Sequence, residues 1–226
     1  MMGRPAILLS GLLVVALVSL PGAQAPTPAP APAPAAVTAP TLPHPEGGRL
    51  LIRNFAPFDY GGGAQNWAFV QDRRGILYVG SANGILEYDG ASWRRIELPN
   101  RATVRSLAQD SNGRIYAGGV SDFGYLEPDA KGAMRFVSLI DRVPAEARTF
   151  GDVWRTHALA DGVYFQSEMA LFRWSNGTIR VWNPAVRFNR AVAVNGKLYL
   201  TQPGVGLTEL VGDTFAGFSP NLAALS

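Results

Sequence analysis

The sequence predicts an all-β fold, a β-propeller of four-stranded antiparallel blades in which about four blades are present, giving a partial or open propeller. Three observations support this fold class. A tyrosine-centred unit recurs along the 226 residues, Asn-Gly and Asp-Gly pairs divide each unit, and the segments between these pairs are short and apolar. A repeat period of about 35 to 50 residues is typical of propellers and solenoids.

The repeat is clearest in two stretches, FVQDRRGILYVG from Phe69 and LAQDSNGRIYAG from Leu107, which match without a gap. Two shorter copies follow, LADGVYFQS from Leu159 and VNGKLYLTQ from Val194. Spacings of 38, 48 and 35 residues separate the repeat tyrosines, Tyr78, Tyr116, Tyr164 and Tyr199. The sequence therefore predicts four blades, at about 65–100, 103–141, 152–184 and 187–220.

The glycines predict the hairpins within each blade. Asn-Gly and Asp-Gly are preferred in tight turns because such turns need positive φ. In the first blade, three turns separate four short segments: Asp72–Gly75, Ala82–Gly84 and Asp89–Gly90. Segments such as Ile76–Val79 are apolar on successive residues, which indicates sheets covered on both faces. A helical pattern is absent from the repeats, and only Pro144–Arg148 favours a single helical turn.

The amino-terminal residues predict export. Residues 1–25 are typical of a secretory signal peptide, because Arg4 precedes an apolar run that ends with Ala23-Gln24-Ala25. An uncleaved anchor is the alternative, since Pro26 directly follows the predicted cleavage site. Residues 26–48 alternate proline and alanine, which favours an extended linker. We therefore expect a folded propeller segment at 49–226 in a periplasmic or other extracytoplasmic location, tethered to a membrane if the anchor is retained.

Composition excludes several function classes. The chain has no cysteine, which excludes disulfides, thiol catalysis and Cys-based metal sites. The net charge is +3, and the basic residues are scattered rather than clustered, which argues against a nucleic-acid partner. His44 and His157 are too far apart to predict a metal site or a Ser-His-Asp set. Gly61–Gly63 lacks the Lys and Ser/Thr of a phosphate loop and is interpreted as a flexible connector. No catalytic residue, metal or cofactor is predicted.

Five residues are candidates for ligand binding. Trp67 and Trp154 lie where strands begin, near the predicted mouth, where an aromatic ring can stack on a sugar; core packing is the alternative. Arg105, Arg155 and Arg190 fall at equivalent positions when counted back from the repeat tyrosines. We therefore expect three guanidinium groups along one rim, where they would attract an anion such as an acidic sugar. Three solvated surface arginines are the alternative.

The stretch VRSLAQDSNGRIYAGG from Val104 to Gly119 resembles the two-component regulator propeller repeat. The shared pattern is a short apolar strand, Asp-x-x-Gly, and an aliphatic-aromatic strand that ends in glycine. The first blade is similar over its whole length, whereas the third and fourth lack the Asp-x-x-Gly spacing. In that family the propeller is the extracytoplasmic input region of hybrid histidine kinases, diguanylate cyclases or transcription regulators.

The resemblance implies a non-catalytic sensor module that binds a small molecule or oligosaccharide. It also implies that the chain is an amino-terminal portion of a receptor with further blades and an output domain downstream. Terminal blades with an open apolar face favour self-association, including a homodimer. Two alternatives stay open. A polysaccharide lyase or hydrolase would need carboxylates or a His-Tyr pair converging on one mouth, and Asp152, Glu168 and His157 clustered there would favour it. A protein-interaction scaffold would be favoured by a flat apolar rim or exposed strand edge.

Overall fold

The computed structural model describes residues 52–217. The predicted signal peptide at 1–25 and the linker at 26–48 lie outside the described residues, as do both ends of the predicted propeller segment. Among residues 52–217, no helix has the length and apolar character that crossing a membrane requires.

The described residues form four antiparallel sheets, each with four strands in sequence order. The first sheet contains β1 (Asn66–Gln71), β2 (Leu77–Ser81), β3 (Gly84–Tyr88) and β4 (Trp93–Ile96). The second contains β5 (Val104–Gln109), β6 (Ile115–Gly119), β7 (Phe123–Pro128) and β8 (Met134–Ser138). The third contains β9 (Arg155–Leu159), β10 (Gly162–Gln166), β11 (Leu171–Ser175) and β12 (Thr178–Trp182). The fourth contains β13 (Arg190–Val194), β14 (Lys197–Gln202), β15 (Gly206–Val211) and β16 (Thr214–Gly217).

The first strands of successive sheets lie beside one another. β1 contacts β5, β5 contacts β9, and β9 contacts β13. These four strands are therefore the inner strands of a propeller, and each sheet is one blade. The predicted fold class, four-stranded antiparallel blades with four blades present, is confirmed.

The Asp-x-x-Gly stretches form turns in which the aspartate side chain holds the backbone. The Oδ1 atom of Asp72 accepts hydrogen bonds from the backbone N–H groups of Arg74 and Ile76, at 2.8 and 3.0 Å. Asp110 accepts the equivalent two bonds, and so does Asp129 between the last strands of the second blade. A structural role at turns therefore accounts for these carboxylates.

The Asn-Gly pairs of the third and fourth blades form the predicted tight hairpins. Asn176-Gly177 connects β11 to β12, and Asn195-Gly196 connects β13 to β14. Both residues of each pair have positive φ, between 49° and 79°. This is the conformation that two-residue hairpin turns require and that asparagine and glycine adopt most readily.

Apolar cores lie between successive blades, so each blade is covered on the face that meets its neighbour. The core between the second and third blades is aromatic: the Phe123 ring stacks on Phe165 with centroids 4.5 Å apart, and Phe172 lies 4.9 Å from Phe123. The core between the first and second blades includes Tyr78, Ile85, Ile96, Ile115 and Leu126. The core between the third and fourth includes Tyr164, Leu171, Trp182, Leu198 and Leu200.

Helical structure within residues 52–217 is confined to single turns. Two 3₁₀ turns, Ile140–Arg142 and Ala145–Ala147, lie in the connection between the second and third blades. The second of them falls in the stretch that the sequence favoured for one turn. The sequence did not predict α1 (Pro57–Tyr60), which precedes the first blade.

The segment around α1 covers the face of the first blade that points away from the second. The Phe55 ring packs edge-on against Tyr88 and Trp93, with centroids 5.2 and 5.3 Å apart, and Tyr60 lies 5.6 Å from Trp93. The interpretation of Gly61–Gly63 as a flexible connector is wrong in part. A Cβ atom on Gly62 would lie 2.7 Å from the Tyr60 ring, so this glycine serves close packing.

Within residues 52–217, no segment covers the face of the fourth blade that points away from the third blade. Strand pairing places four side chains at the same position of the third strands: Ile85, Phe123, Leu171 and Leu207. The first three are 0% exposed, because the following blade covers them, whereas Leu207 is 36% exposed. Val192 and Val194 on β13 lie on the same face and are also exposed. This face carries an apolar surface of the kind that is buried elsewhere in the propeller.

We expect the chain to self-associate through this exposed face. Replacing Val192 and Leu207 together by aspartate should shift the chain toward monomer, because the charges resist burial in an apolar interface. Size-exclusion chromatography with light scattering over a concentration series measures the shift. The control is Phe58→Asp on α1, a residue that is exposed on another surface. A wild-type chain that stays monomeric at high concentration and melts cooperatively would contradict the prediction.

The aromatic core between the second and third blades should dominate the stability of the propeller. Phe123→Ala is expected to lower the free energy of unfolding by about 3–5 kcal/mol, because it leaves a cavity between two rings. Urea denaturation followed by tryptophan fluorescence measures the loss. The matched control is Phe58→Ala, whose side chain is 85% exposed and should change stability little. Equal losses of unfolding free energy for the two substitutions would rule out a dominant role of this aromatic core.

Candidate ligand-binding rim

The inner strands begin at one end of the propeller, and the five predicted site residues lie there. We call this set the rim: Trp67, Arg105, Trp154, Arg155 and Arg190. Trp67 and Arg105 are the second residues of β1 and β5, Trp154 directly precedes β9, and Arg155 and Arg190 open β9 and β13.

Two rim residues lie at β-bulges. In β1 the pairing with β2 shifts between Asn66 and Ala68, so Trp67 is the extra residue. In β5 the pairing with β6 shifts between Val104 and Ser106, in the same way around Arg105. A bulge changes the direction in which a side chain points and commonly occurs beside functional sites.

The predicted equivalence of the three rim arginines is wrong for Arg105. Ser106, Arg155 and Arg190 each pair with the residue two places after the repeat tyrosine. Arg105 lies one residue earlier, at the bulge, where Trp67 lies in the first blade. Counting along the sequence missed this, because a bulge adds one residue without changing the repeat tyrosine or the turn glycines.

Arg105 lies between the two rim tryptophans. Its guanidinium carbon is 4.0 Å from the ring centroid of Trp67 and 4.9 Å from that of Trp154. The two indoles meet edge-on, 6.1 Å apart. The Nε atom of Arg105 donates a 2.8 Å hydrogen bond to Oδ2 of Asp152, and the two side chains are only 18% and 22% exposed. We call these four residues the tryptophan clamp.

The partners of the Arg105 guanidinium within the clamp are all groups of the protein itself. Its ion pair neutralises the guanidinium, and its two cation–π contacts fix the orientation of the indoles. The structure therefore brings Trp67, Arg105 and Trp154 together, with Arg105 as the support of two aromatic rings. The sequence predicted the three residues but not the aspartate that completes the set.

Asp152 reaches the clamp because the connection before β9 crosses the second blade at the end of β6 and at β5. Asp152 forms an isolated antiparallel bridge with Val120, and the N–H of Val153 donates to the carbonyl of Gly119 at 2.9 Å. The hydroxyl of Ser106 donates to the carbonyl of Val153, also at 2.9 Å. No signal in the repeat pattern marks this crossing.

Two open cavities adjoin the clamp, and Trp154 and Glu168 line both. The larger has a volume of about 470 Å³ and is lined by Thr149, Phe150, Gly151, Asp152, Trp154, Glu168 and Met169. The smaller has a volume of about 290 Å³ and is lined by Trp154, Arg155, Glu168, Asn189 and Arg190. All five rim residues thus lie in the clamp or beside it.

Arg155 and Arg190 are two positive charges close together. Burial, and then repulsion from Arg190, lower the pKa of Arg155. The Nη1 atom of Arg155 donates to the carbonyl of Trp154 at 3.2 Å. Within residues 52–217, neither guanidinium has a carboxylate within ion-pair distance. Both arginines line the smaller cavity, where two guanidinium groups outnumber the one carboxylate, that of Glu168.

Of the three residues whose clustering would favour an enzyme, Asp152 and Glu168 line the larger cavity together, and His157 does not. Asp152 is ion-paired in the clamp, and Oε2 of Glu168 accepts a 3.1 Å hydrogen bond from Arg187. His157 points to the seam between the third and fourth blades, where its Nε2 lies 3.1 Å from the carbonyl of Ala191. Burial lowers the pKa of His157. In the described part of the chain, no three carboxylate or histidine side chains group as metal ligands.

No protein-family model matches the chain, and no curated protein matches it. Solved structures match at low identity. A catalytically inactive virginiamycin B lyase from Staphylococcus aureus, crystallised with quinupristin, gives a TM-score of 0.52 at 15% identity, over 70% of this chain and 56% of the lyase. The WD40 β-propeller domain of Doa1 gives a TM-score of 0.52 at 14% identity, over 69% of this chain and 54% of that domain.

An extracellular domain of a two-component system is also among the similar structures. The extracellular domain of the hybrid two-component system BT4673 from B. thetaiotaomicron gives a TM-score of 0.50 at 18% identity, over 70% of this chain and 22% of that domain. The chain thus spans between about a fifth and just over half of the length of these three neighbours. At such identities the likeness shows the fold, a β-propeller.

Removing the charge of the clamp should loosen the tryptophan pair. Arg105→Met keeps the length of the side chain but removes both cation–π contacts and the ion pair, so we expect a loss of about 1–2 kcal/mol of unfolding free energy. The near-ultraviolet circular dichroism of the paired indoles should weaken as well. Arg101→Met, at a side chain that is 84% exposed, is the control. An unchanged near-ultraviolet spectrum for Arg105→Met would show that the clamp does not order the rings.

Proposed function

We propose that this chain is a non-catalytic ligand-sensing module of an extracytoplasmic signalling receptor, and that it binds a small molecule or oligosaccharide at the rim. The observation that carries the proposal is the tryptophan clamp. Two indoles, held by Arg105 and Asp152, stand beside open cavities at the end of the propeller where the inner strands begin.

The clamp suits binding of a sugar ring. Tryptophan offers a broad apolar face with one polar N–H, and it loses little conformational freedom when it contacts a ligand. Trp67 is exposed and Trp154 lines both cavities. An aromatic pair fixed before the ligand arrives reduces the entropy cost of binding.

The arrangement of charges favours binding over catalysis. General acid–base chemistry needs proton-transferring groups that converge on one substrate position. At this rim the two carboxylates are occupied by arginines, and His157 faces the neighbouring blade. These contacts leave aromatic faces and guanidinium groups as the side chains that a ligand meets.

The sensing role is supported by two further points. The repeat resembles that of two-component regulator propellers, and the extracellular domain of BT4673 shares the fold. That domain is much longer than the matched region, since the match covers 22% of it. We therefore propose further blades and an output domain in the intact receptor, with the propeller exported as the predicted signal peptide indicates.

Two other functions have a specific observation in their favour. A propeller lyase or hydrolase is favoured by the larger cavity, because Asp152 and Glu168 both line it. A protein-interaction scaffold is favoured by the exposed valines of the fourth blade. Each differs from the sensor in its readout, because only an enzyme changes the ligand and only a scaffold binds a different protein through β13 and β15.

The test is binding and recovery of oligosaccharides from a panel of neutral and acidic glycans. We expect at least one glycan to bind and to be recovered intact by mass spectrometry. Trp154→Ala should weaken that binding by tenfold or more, since ~1.4 kcal/mol of lost stacking corresponds to a factor of ten. Phe58→Ala is the control and should bind as wild type does. Cleaved glycan would favour the enzyme, and no binding to any member of the panel would overturn the proposal.

A further inference from the structure

We infer that the smaller cavity binds the carboxylate of an acidic sugar, a uronic acid residue, between the third and fourth blades. This inference rests on the proposed function, because it names the ligand class for the same rim. It depends on the two arginines that remain once Arg105 is assigned to the clamp.

The first argument is charge. Arg155 and Arg190 open neighbouring inner strands and line one cavity of about 290 Å³. They repel each other, and Arg155 is partly desolvated, which strengthens that repulsion. An anion between the two guanidinium groups would relieve it, and a planar carboxylate matches the fork of N–H donors that each arginine presents.

The protein itself does not supply that anion in the described residues. Glu168 is the carboxylate that lines the cavity, and it accepts a hydrogen bond from Arg187. Asn189, the remaining lining side chain, is neutral and exposed. The ligand must therefore bring the negative charge.

The second argument is the position of Trp154. Trp154 lines the same cavity as the two arginines, and the clamp fixes the orientation of its ring through Arg105, 4.9 Å away. A ligand in this cavity can place one flat face on the indole while its charged group lies at the guanidinium pair. A uronic acid combines both features in one ring, because its carboxylate projects from the edge of an apolar C–H face.

The volume agrees with a ligand of this size. Ligand pockets usually measure about 300–1,000 Å³, so a cavity of about 290 Å³ suits one ring. The adjoining cavity of about 470 Å³ continues past Trp154 and gives space for a neighbouring ring of an oligomer.

Binding would also join two blades. Arg155 belongs to β9 of the third blade and Arg190 to β13 of the fourth. A carboxylate that contacts both would replace repulsion across the seam by attraction. The ligand should therefore raise the melting temperature of the propeller, as any ligand that binds only the folded state does.

The experiment compares acidic sugars with their own neutral esters. Trimers of galacturonic acid and of mannuronic acid, and the methyl esters of both, are titrated into the full chain by calorimetry and by thermal shift. We expect one acid to bind at least tenfold more tightly than its ester, with a difference that shrinks as salt rises. Arg190→Gln and Arg155→Gln should each remove the preference for the acid. Arg155→Lys keeps the charge and should retain part of it, which separates loss of charge from loss of fold.

The experiment has a control variant, and several outcomes would contradict the inference. Arg101→Gln changes an exposed arginine outside the rim and should keep the full preference. Equal binding of acid and ester overturns the inference while the proposed function stands. Binding of inorganic phosphate as tight as that of the acid trimers shows a simple anion site and also overturns it. Binding of neutral glycans alone overturns the inference, and binding of no glycan overturns the proposed function with it.

Discussion

Packing of one blade against the next is the constraint on which the rest of the structure depends. Phe123 and Phe165 stack across the seam between the second and third blades. Aliphatic and aromatic side chains close the other two seams as well. This packing fixes where each inner strand begins. The rim exists because four such starts are held side by side, so the side chains that a ligand would meet are positioned by the cores between blades.

Three arginines at this rim show how position decides the role of one residue type. Arg105, at a bulge, hydrogen-bonds to Asp152 and contacts two indole rings, so it acts as a structural support. Arg155 and Arg190, at the regular first position of their strands, have no carboxylate or indole partner of this kind in the described chain. The bulge therefore divides the rim into an aromatic half and a cationic half.

The sequence predicted the parts of the fold that depend on local turn chemistry. Asn176-Gly177 and Asn195-Gly196 form tight turns because few other pairs adopt positive φ at both residues. It could not predict features that arise from a distant segment. Asp152 joins the clamp only because its connection pairs with Val120, and the shift of Arg105 comes from a bulge that leaves the repeat pattern unchanged.

The segment that carries Phe55 and Tyr60 has a consequence for symmetry. It occupies the outward face of the first blade, against Tyr88 and Trp93, while the outward face of the fourth blade stays open. Stacking of copies end to end, which would build a fibre, needs both faces free. With one of them already filled, contact through the open face alone is isologous and closes after two copies. A short aromatic stretch before the first strand would thus limit association through the fourth blade to pairs of copies.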